Sequence, residues 1–164
     1  MVFTDASFAN NSDNTSQIGF VIVLADNDNN ANIIHWSSIK CKRVRSVLAS
    51  ELYRMAHGFD HGAVIKAIIE KILQLELPLV LCTDSKSLYE RLVKLGSTQE
   101  KRLMVDLMCP RQSYERRMIT EIKWINGESN PAHAMTKGKA CNALRDLIDS
   151  NKVNLSTKEW VERG

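Results

Sequence analysis

The spacing of apolar residues changes several times along the 164-residue chain, and each change predicts an element. Gln17 to Ala25 (QIGFVIVLA) is a long β-prone run, and Asn32 to Trp36 (NIIHW) is a second. Asp26-Asn27-Asp28-Asn29-Asn30 between them is turn chemistry, so the pair reads as an antiparallel hairpin. Oxygens at Asp26, Asp28 and Asn30 imitate a calcium loop. Ala31 stands where the loop needs glycine and Ser37 where it needs the closing glutamate, which excludes calcium. Ser46 can cap a helix whose apolar face is Leu48, Leu52, Met55, Ala56 and Phe59. Gly58 and Gly62 are expected to break or bend it, before a second stripe of Val64, Ile65, Ile68, Ile69, Ile72 and Leu73. After Pro78, Leu79-Val80-Leu81-Cys82 reads as a buried strand. A short helix from Ser85 to Leu95 ended by Gly96, a longer one from Gln99 to Arg117, and an alternating strand from Ile119 to Ile125 follow. Pro131 then suits the first turn of a last helix.

A hairpin followed by alternating helices and strands indicates an α/β domain with a mixed sheet. Composition agrees: 44% hydrophobic and 25% charged residues exclude disorder and collagen-like repeats. The length suits one domain, taken as residues 1–149 with a C-terminal extension at 150–164. Within that tail, Ser156-Thr157-Lys158-Glu159 resembles a capping box opening one more helical turn. No apolar run reaches the roughly 18 residues of a membrane span, and the N-terminus lacks signal-peptide regions. A monomer in the cytoplasm or nucleus, not secreted and without a membrane partner, is the expectation. Cys41, Cys82, Cys109 and Cys141 include no C-x-x-C pair and are expected as reduced thiols. The net charge of +3 demands no polyanionic partner by itself. Locally, Lys40-Cys41-Lys42-Arg43-Val44-Arg45 concentrates four cations; Lys42, Arg43 and Arg45 are placed to reach phosphates, although such clusters are usually solvated connections.

Three carboxylates occupy informative places. Asp5 ends the first strand in Phe3-Thr4-Asp5-Ala6-Ser7, Glu51 lies in the first turns of a helix, and Asp84 ends the buried strand in Leu81-Cys82-Thr83-Asp84-Ser85. Carboxylates directly after strands sit at the carboxyl edge, where α/β sheets bind ligands. A hard divalent cation relieves the repulsion of clustered acids. Singly, each reads as a turn, cap or surface residue; together, with Ser7 and Ser85 beside them, they favour a metal site.

Four segments in order carry a resemblance: Phe3-Thr4-Asp5-Ala6-Ser7, Leu48-Ala49-Ser50-Glu51-Leu52, Thr83-Asp84-Ser85-Lys86-Ser87-Leu88 and Trp124-Ile125-Asn126-Gly127-Glu128-Ser129-Asn130-Pro131-Ala132. They resemble the ribonuclease H domain of copia-type LTR retrotransposon polyproteins, particularly fungal ones, from Val2 to about Lys137. The resemblance implies a ribonuclease H-like fold: a mixed five-stranded sheet with helices on both faces. It also implies an endonuclease for the RNA strand of RNA–DNA hybrids, and a reverse transcriptase as neighbour in the parent polyprotein. Two Mg²⁺ ions, with Mn²⁺ as a substitute, would be held by four acidic residues, three of them Asp5, Glu51 and Asp84. Ser7, Lys42, Arg43 and Ser85 would face substrate, whose 2′-hydroxyls mark the RNA.

At the fourth acidic position the chain has His133, in Asn130-Pro131-Ala132-His133. An imidazole removes one negative charge, and manganese tolerates it better than magnesium does. Weak activity, manganese-biased activity or none are the three consequences. Only Met1 to Thr4 precede Asp5, which makes the first strand short for a central one. Both departures motivate a rival reading, an inactive relic that binds hybrid or a protein partner. A strand-transferring integrase on a similar fold is the third reading. Glu128 lies in the loop before His133 and is a weaker candidate for the missing acid. His57 and His61 lack the glutamate of H-E-x-x-H and are taken as helix-surface residues. Trp36, Trp124 and Trp160 are taken as packing residues.

Overall fold

The computed structural model describes residues 1–8, 15–41, 46–94 and 101–162. The strands are β1 (Val2–Ser7), β2 (Ser16–Ala25), β3 (Ala31–Cys41), β4 (Val80–Thr83), β5 (Glu121–Ile125) and β6 (Thr157–Glu162). They make one sheet in the order β3-β2-β1-β4-β5-β6. β1, β4 and β5 run parallel, while β2, β3 and β6 are antiparallel to their neighbours. The mixed sheet is as expected, with six strands in place of five. Helix α1 (Val47–Leu73) connects β3 to β4, and α2 (Lys86–Val93) with α3 (Lys101–Glu115) connects β4 to β5. Helix α4 (Asn142–Ser150) precedes β6.

The added strand corrects the reading of the tail. Thr157 does not open a helical turn; β6 pairs with β5, with Trp124 opposite Glu159 and Ile122 opposite Val161. Without it, β5 would present a row of unpaired backbone groups along the sheet edge.

Each face of the sheet has its own core. On one, Leu52, Met55 and Phe59 of α1 pack with Phe20, Ile22, Leu81 and Ile122, joined by Leu88 and Leu107 from α2 and α3. On the other, Phe3, Val21, Cys82 and Ile125 meet Ala132 and Leu147. Alternation of side chains along a strand sends neighbours such as Val2 and Phe3 to opposite cores.

Helix α1 also differs from expectation. Gly58 and Gly62 neither break nor bend it into two helices; it runs 27 residues and ends at Gln74 in the left-handed region (φ 55°). The glycines serve close approach to β1. A Cβ on Gly62 would stand 2.6 Å from Val2 Cγ2, and one on Gly58 2.9 Å from Thr4 Cγ2. His57 and His61 are half-buried, not free on the helix surface: their rings stack at 4.9 Å and pack on Phe20, with His35 beside His61. Trp36, expected to pack, is 61% exposed on the edge strand β3. Trp124 does pack, beside Tyr89 and under Lys86 and Lys158. Among the described residues no helix is long and apolar enough to cross a membrane.

Candidate metal centre

The parallel pairing of β1 with β4 sets Val2 opposite Leu81 and Phe3 opposite Cys82. The same register carried forward brings Asp5 level with Asp84, just beyond the end of β4. Asp5 is not the last residue of its strand, as expected from sequence; β1 continues to Ser7 and holds Asp5 buried opposite Gly19. Glu51 arrives from the first turns of α1, whose start Ser46 caps by accepting a hydrogen bond from Ala49 N at 3.1 Å.

His133 sits on a 3₁₀ turn, Pro131–Met135, where the sequence predicted the opening of the last helix. The turn is short because its ends are fastened to the sheet. Asn130, fully buried, accepts from Ala132 N at 3.1 Å and donates from Nδ2 to the Thr4 carbonyl at 2.9 Å. One side chain thus caps the turn and ties it to β1 beside Asp5. Farther along, Met135 lies across β2 at Gly19, where a Cβ would fall 2.3 Å from Met135 Cβ.

These fastenings bring three donor side chains together. Oxygens of Asp5 and Asp84 and a ring nitrogen of His133 lie within 4.8 Å of one another, the arrangement that can hold a cation. His133 Nε2 is 2.6 Å from Asp84 Oδ2 and 3.5 Å from Asp5 Oδ1. Thr136 donates its hydroxyl to Asp5 Oδ2, fixing that carboxylate from the far side. Gly127 keeps the approach open: a Cβ there would stand 3.3 Å from His133 Cε1 and 3.4 Å from Asp84 Oδ2.

The remaining expected ligand, Glu51, is differently engaged. Glu51 is paired with Arg54, one turn along α1, and does not join the donor group. Arg54 Nη1 lies 3.2 Å from Asp5 Oδ1, and Nη2 3.8 Å from Asp84 Oδ1, with the side chain wholly buried. Burial lowers the guanidinium to about 10 while Asp5 and Asp84 pull it upward, so it is charged at neutral pH. Asp84 is half-buried, which alone would raise its carboxyl; the His133 hydrogen bond and the Arg54 charge outweigh this and hold it below the ordinary value.

Arg54, Asn130 and Thr136 were not singled out from sequence. Arg54 had a signal, the i, i+3 spacing from Glu51 on a helix face that also carries Met55 and Gly58. Of the expected substrate-facing residues, Ser7 is buried, with no hydrogen-bond partner for its hydroxyl among the described residues. Ser85 caps α2 by accepting from Leu88 N at 3.4 Å. Lys42 and Arg43 lie outside the described residues. Glu128 is exposed and is not in the donor group. His57 and His61 are not in it either.

No family model and no curated protein matches the sequence. Solved structures do match the fold. Ribonuclease H1 from the halophilic archaeon Halobacterium salinarum NRC-1 aligns at 15% identity and TM-score 0.61, over 88% of this chain and 96% of that one. LC11 ribonuclease H1 in complex with an RNA/DNA hybrid gives 16% identity and TM-score 0.63, over 87% and 97%. The N-terminal ribonuclease H domain of a Mycobacterium tuberculosis protein, solved as a maltose-binding protein fusion, gives 13% and 0.58, over 91% and 95%. The chain therefore has the ribonuclease H-like fold, a mixed sheet covered by helices on both faces.

Proposed function

We propose that the chain is a metal-dependent ribonuclease H domain that cleaves the RNA strand of RNA–DNA hybrids. One observation carries the reading: Asp5, Asp84 and His133 converge at the carboxyl edge of a sheet with this fold. The structural neighbour LC11 ribonuclease H1 is complexed with an RNA/DNA hybrid, which supports the same substrate class here. The ordered motifs from Phe3 to Ala132 support an origin in a retrotransposon polyprotein, beside a reverse transcriptase.

The residues present fit one divalent cation. Two carboxylate oxygens and an imidazole nitrogen form a mixed donor set, which suits Mn²⁺ better than the oxygen-loving Mg²⁺. Asp5, Asp84 and His133 would hold the ion, and the 2.6 Å contact of His133 with Asp84 already brings two of these donors together. A cation held there supplies charge for the scissile phosphate and a better nucleophile from water. The chain's own groups do the positioning. Thr136 and Arg54 orient Asp5, while Asn130 fixes the turn that carries His133.

A second reading, hybrid binding without cleavage, is favoured by one feature. An imidazole, expected from the sequence, and a guanidinium, not expected, stand where the resembled family has only carboxylates and metal ions. Fluorescence anisotropy with a labelled RNA–DNA hybrid, competed by DNA duplex, tests the recognition that both readings share. Preference for hybrid supports them; equal affinity for both duplexes removes both. RNA cleavage by the same sample in Mn²⁺ then selects between them.

A further inference from the structure

Arg54 is unusually placed for a charged side chain. Its guanidinium is completely buried and touches all three carboxylates: Asp5 at 3.2 Å, Asp84 at 3.8 Å and Glu51 through a close ion pair. Its neighbours on α1, Leu52 and Met55, are core residues, so the backbone that carries it is anchored. Nε finds no acceptor among the described residues. The guanidinium is therefore held on its Nη edge, by charge and by a long contact of Nη2 to Thr83 Oγ1 at 3.5 Å, without the full hydrogen-bond set of a structural buried arginine.

We propose that Arg54 is a resident cation of the centre, taking the place of one of two divalent ions, so that the site accepts a single divalent ion on Asp5, Asp84 and His133. The inference rests on the metal-centre reading given above and adds the number of ions and the residue that sets it.

Charge balance supports it. Three carboxylates and one guanidinium leave a formal charge of two negatives, with His133 neutral as a ligand must be. One divalent ion cancels that charge; a second would leave excess positive charge in a half-buried site, which is strongly unfavourable. Geometry agrees. Glu51 is drawn to Arg54 and contributes no donor to the group, while the other three side chains remain in reach of a common ion.

The test is the number of Mn²⁺ ions bound per chain, counted by titration calorimetry and by loss of the free-Mn²⁺ electron paramagnetic resonance signal. The samples are wild type, Arg54→Ala and His133→Asp. Wild type should bind one ion, and Arg54→Ala two. Arg54→Ala should also unfold at a lower temperature in EDTA and regain stability with Mn²⁺, because its three carboxylates lose the buried guanidinium that touches all of them. Should Arg54→Ala fail to fold, His133→Asp decides the question: its site has the same formal charge as that of Arg54→Ala, but Arg54 still holds Glu51, so it should still bind one ion, more tightly than wild type. Two ions or none on wild type, one on folded Arg54→Ala, or two on His133→Asp overturns the proposal. Hybrid binding in EDTA is read separately, so losing the ion count leaves the substrate reading standing, and the reverse also holds.

Discussion

His133 and Asp84, 2.6 Å apart, form a hydrogen-bonded pair where a carboxylate would need a cation between itself and its neighbour. His133→Asp replaces that bond with like-charge repulsion. We expect it to destabilise the metal-free protein by about 1–3 kcal/mol, a fall of several degrees in Tm, with recovery on adding Mn²⁺. Thermal melts in EDTA and in Mn²⁺ check this; an unchanged metal-free melt contradicts it. Asn130→Ala should cost a similar ~1–3 kcal/mol by leaving the buried Thr4 carbonyl without this donor and uncapping the turn, visible as a lower urea midpoint. At this scale the sequence was informative where an acid follows an apolar β run, as for Asp5 and Asp84. Thr136 and Arg54 were not legible as site residues. Thr136 reaches Asp5 across 131 positions, and Arg54 is a charged residue that only tertiary packing turns inward.

Among elements, α1 is the one on which sequence and structure diverge most instructively. Two glycines in a helical pattern read as an interruption because glycine weakens isolated helices by about 1 kcal/mol. Their use here is contact with β1, which periodicity within the helix cannot reveal. Gly62→Ala gains helix propensity but drives a Cβ to 2.6 Å from buried Val2. Overpacking of this kind costs typically 1–3 kcal/mol, so a net loss of about 1–2 kcal/mol is expected by urea denaturation. A more stable variant would show that the two elements have slack between them. The hairpin, β4 and the start of α1 were legible because turn residues, an unbroken apolar run and a serine cap act locally. The 3₁₀ turn and β6 were not, since tethering by Asn130 and the vacant edge of β5 override local preference.

For the whole molecule, the four cysteines are free, and burial sorts them. Cys82, inside β4, has its thiol pushed up to about 12, chiefly by burial. A native-state thiol assay should label exposed Cys109 fast, Cys41 and Cys141 more slowly, and Cys82 only on unfolding. The same shift has a pH consequence. Unfolded Cys82 ionises near 9.0 while the folded thiol keeps its proton, so this contribution is intact below 9.0 and lost as pH rises towards about 12. The slope should approach ~1.4 kcal/mol per pH unit and shrink in Cys82→Ala, measured as urea-derived stability across that range. A slope unchanged by the substitution would assign the alkaline loss to other groups.

The most direct test of the enzymatic reading is strand-specific cleavage of a labelled RNA–DNA hybrid in Mn²⁺, by wild type beside Asp84→Asn. Cuts are expected in the RNA strand only, none in EDTA, with loss of at least about tenfold in rate for Asp84→Asn, equivalent to roughly 1.4 kcal/mol of barrier. Cleavage that ignores Asp84→Asn, or a folded wild type that leaves the RNA intact in Mn²⁺, would contradict it.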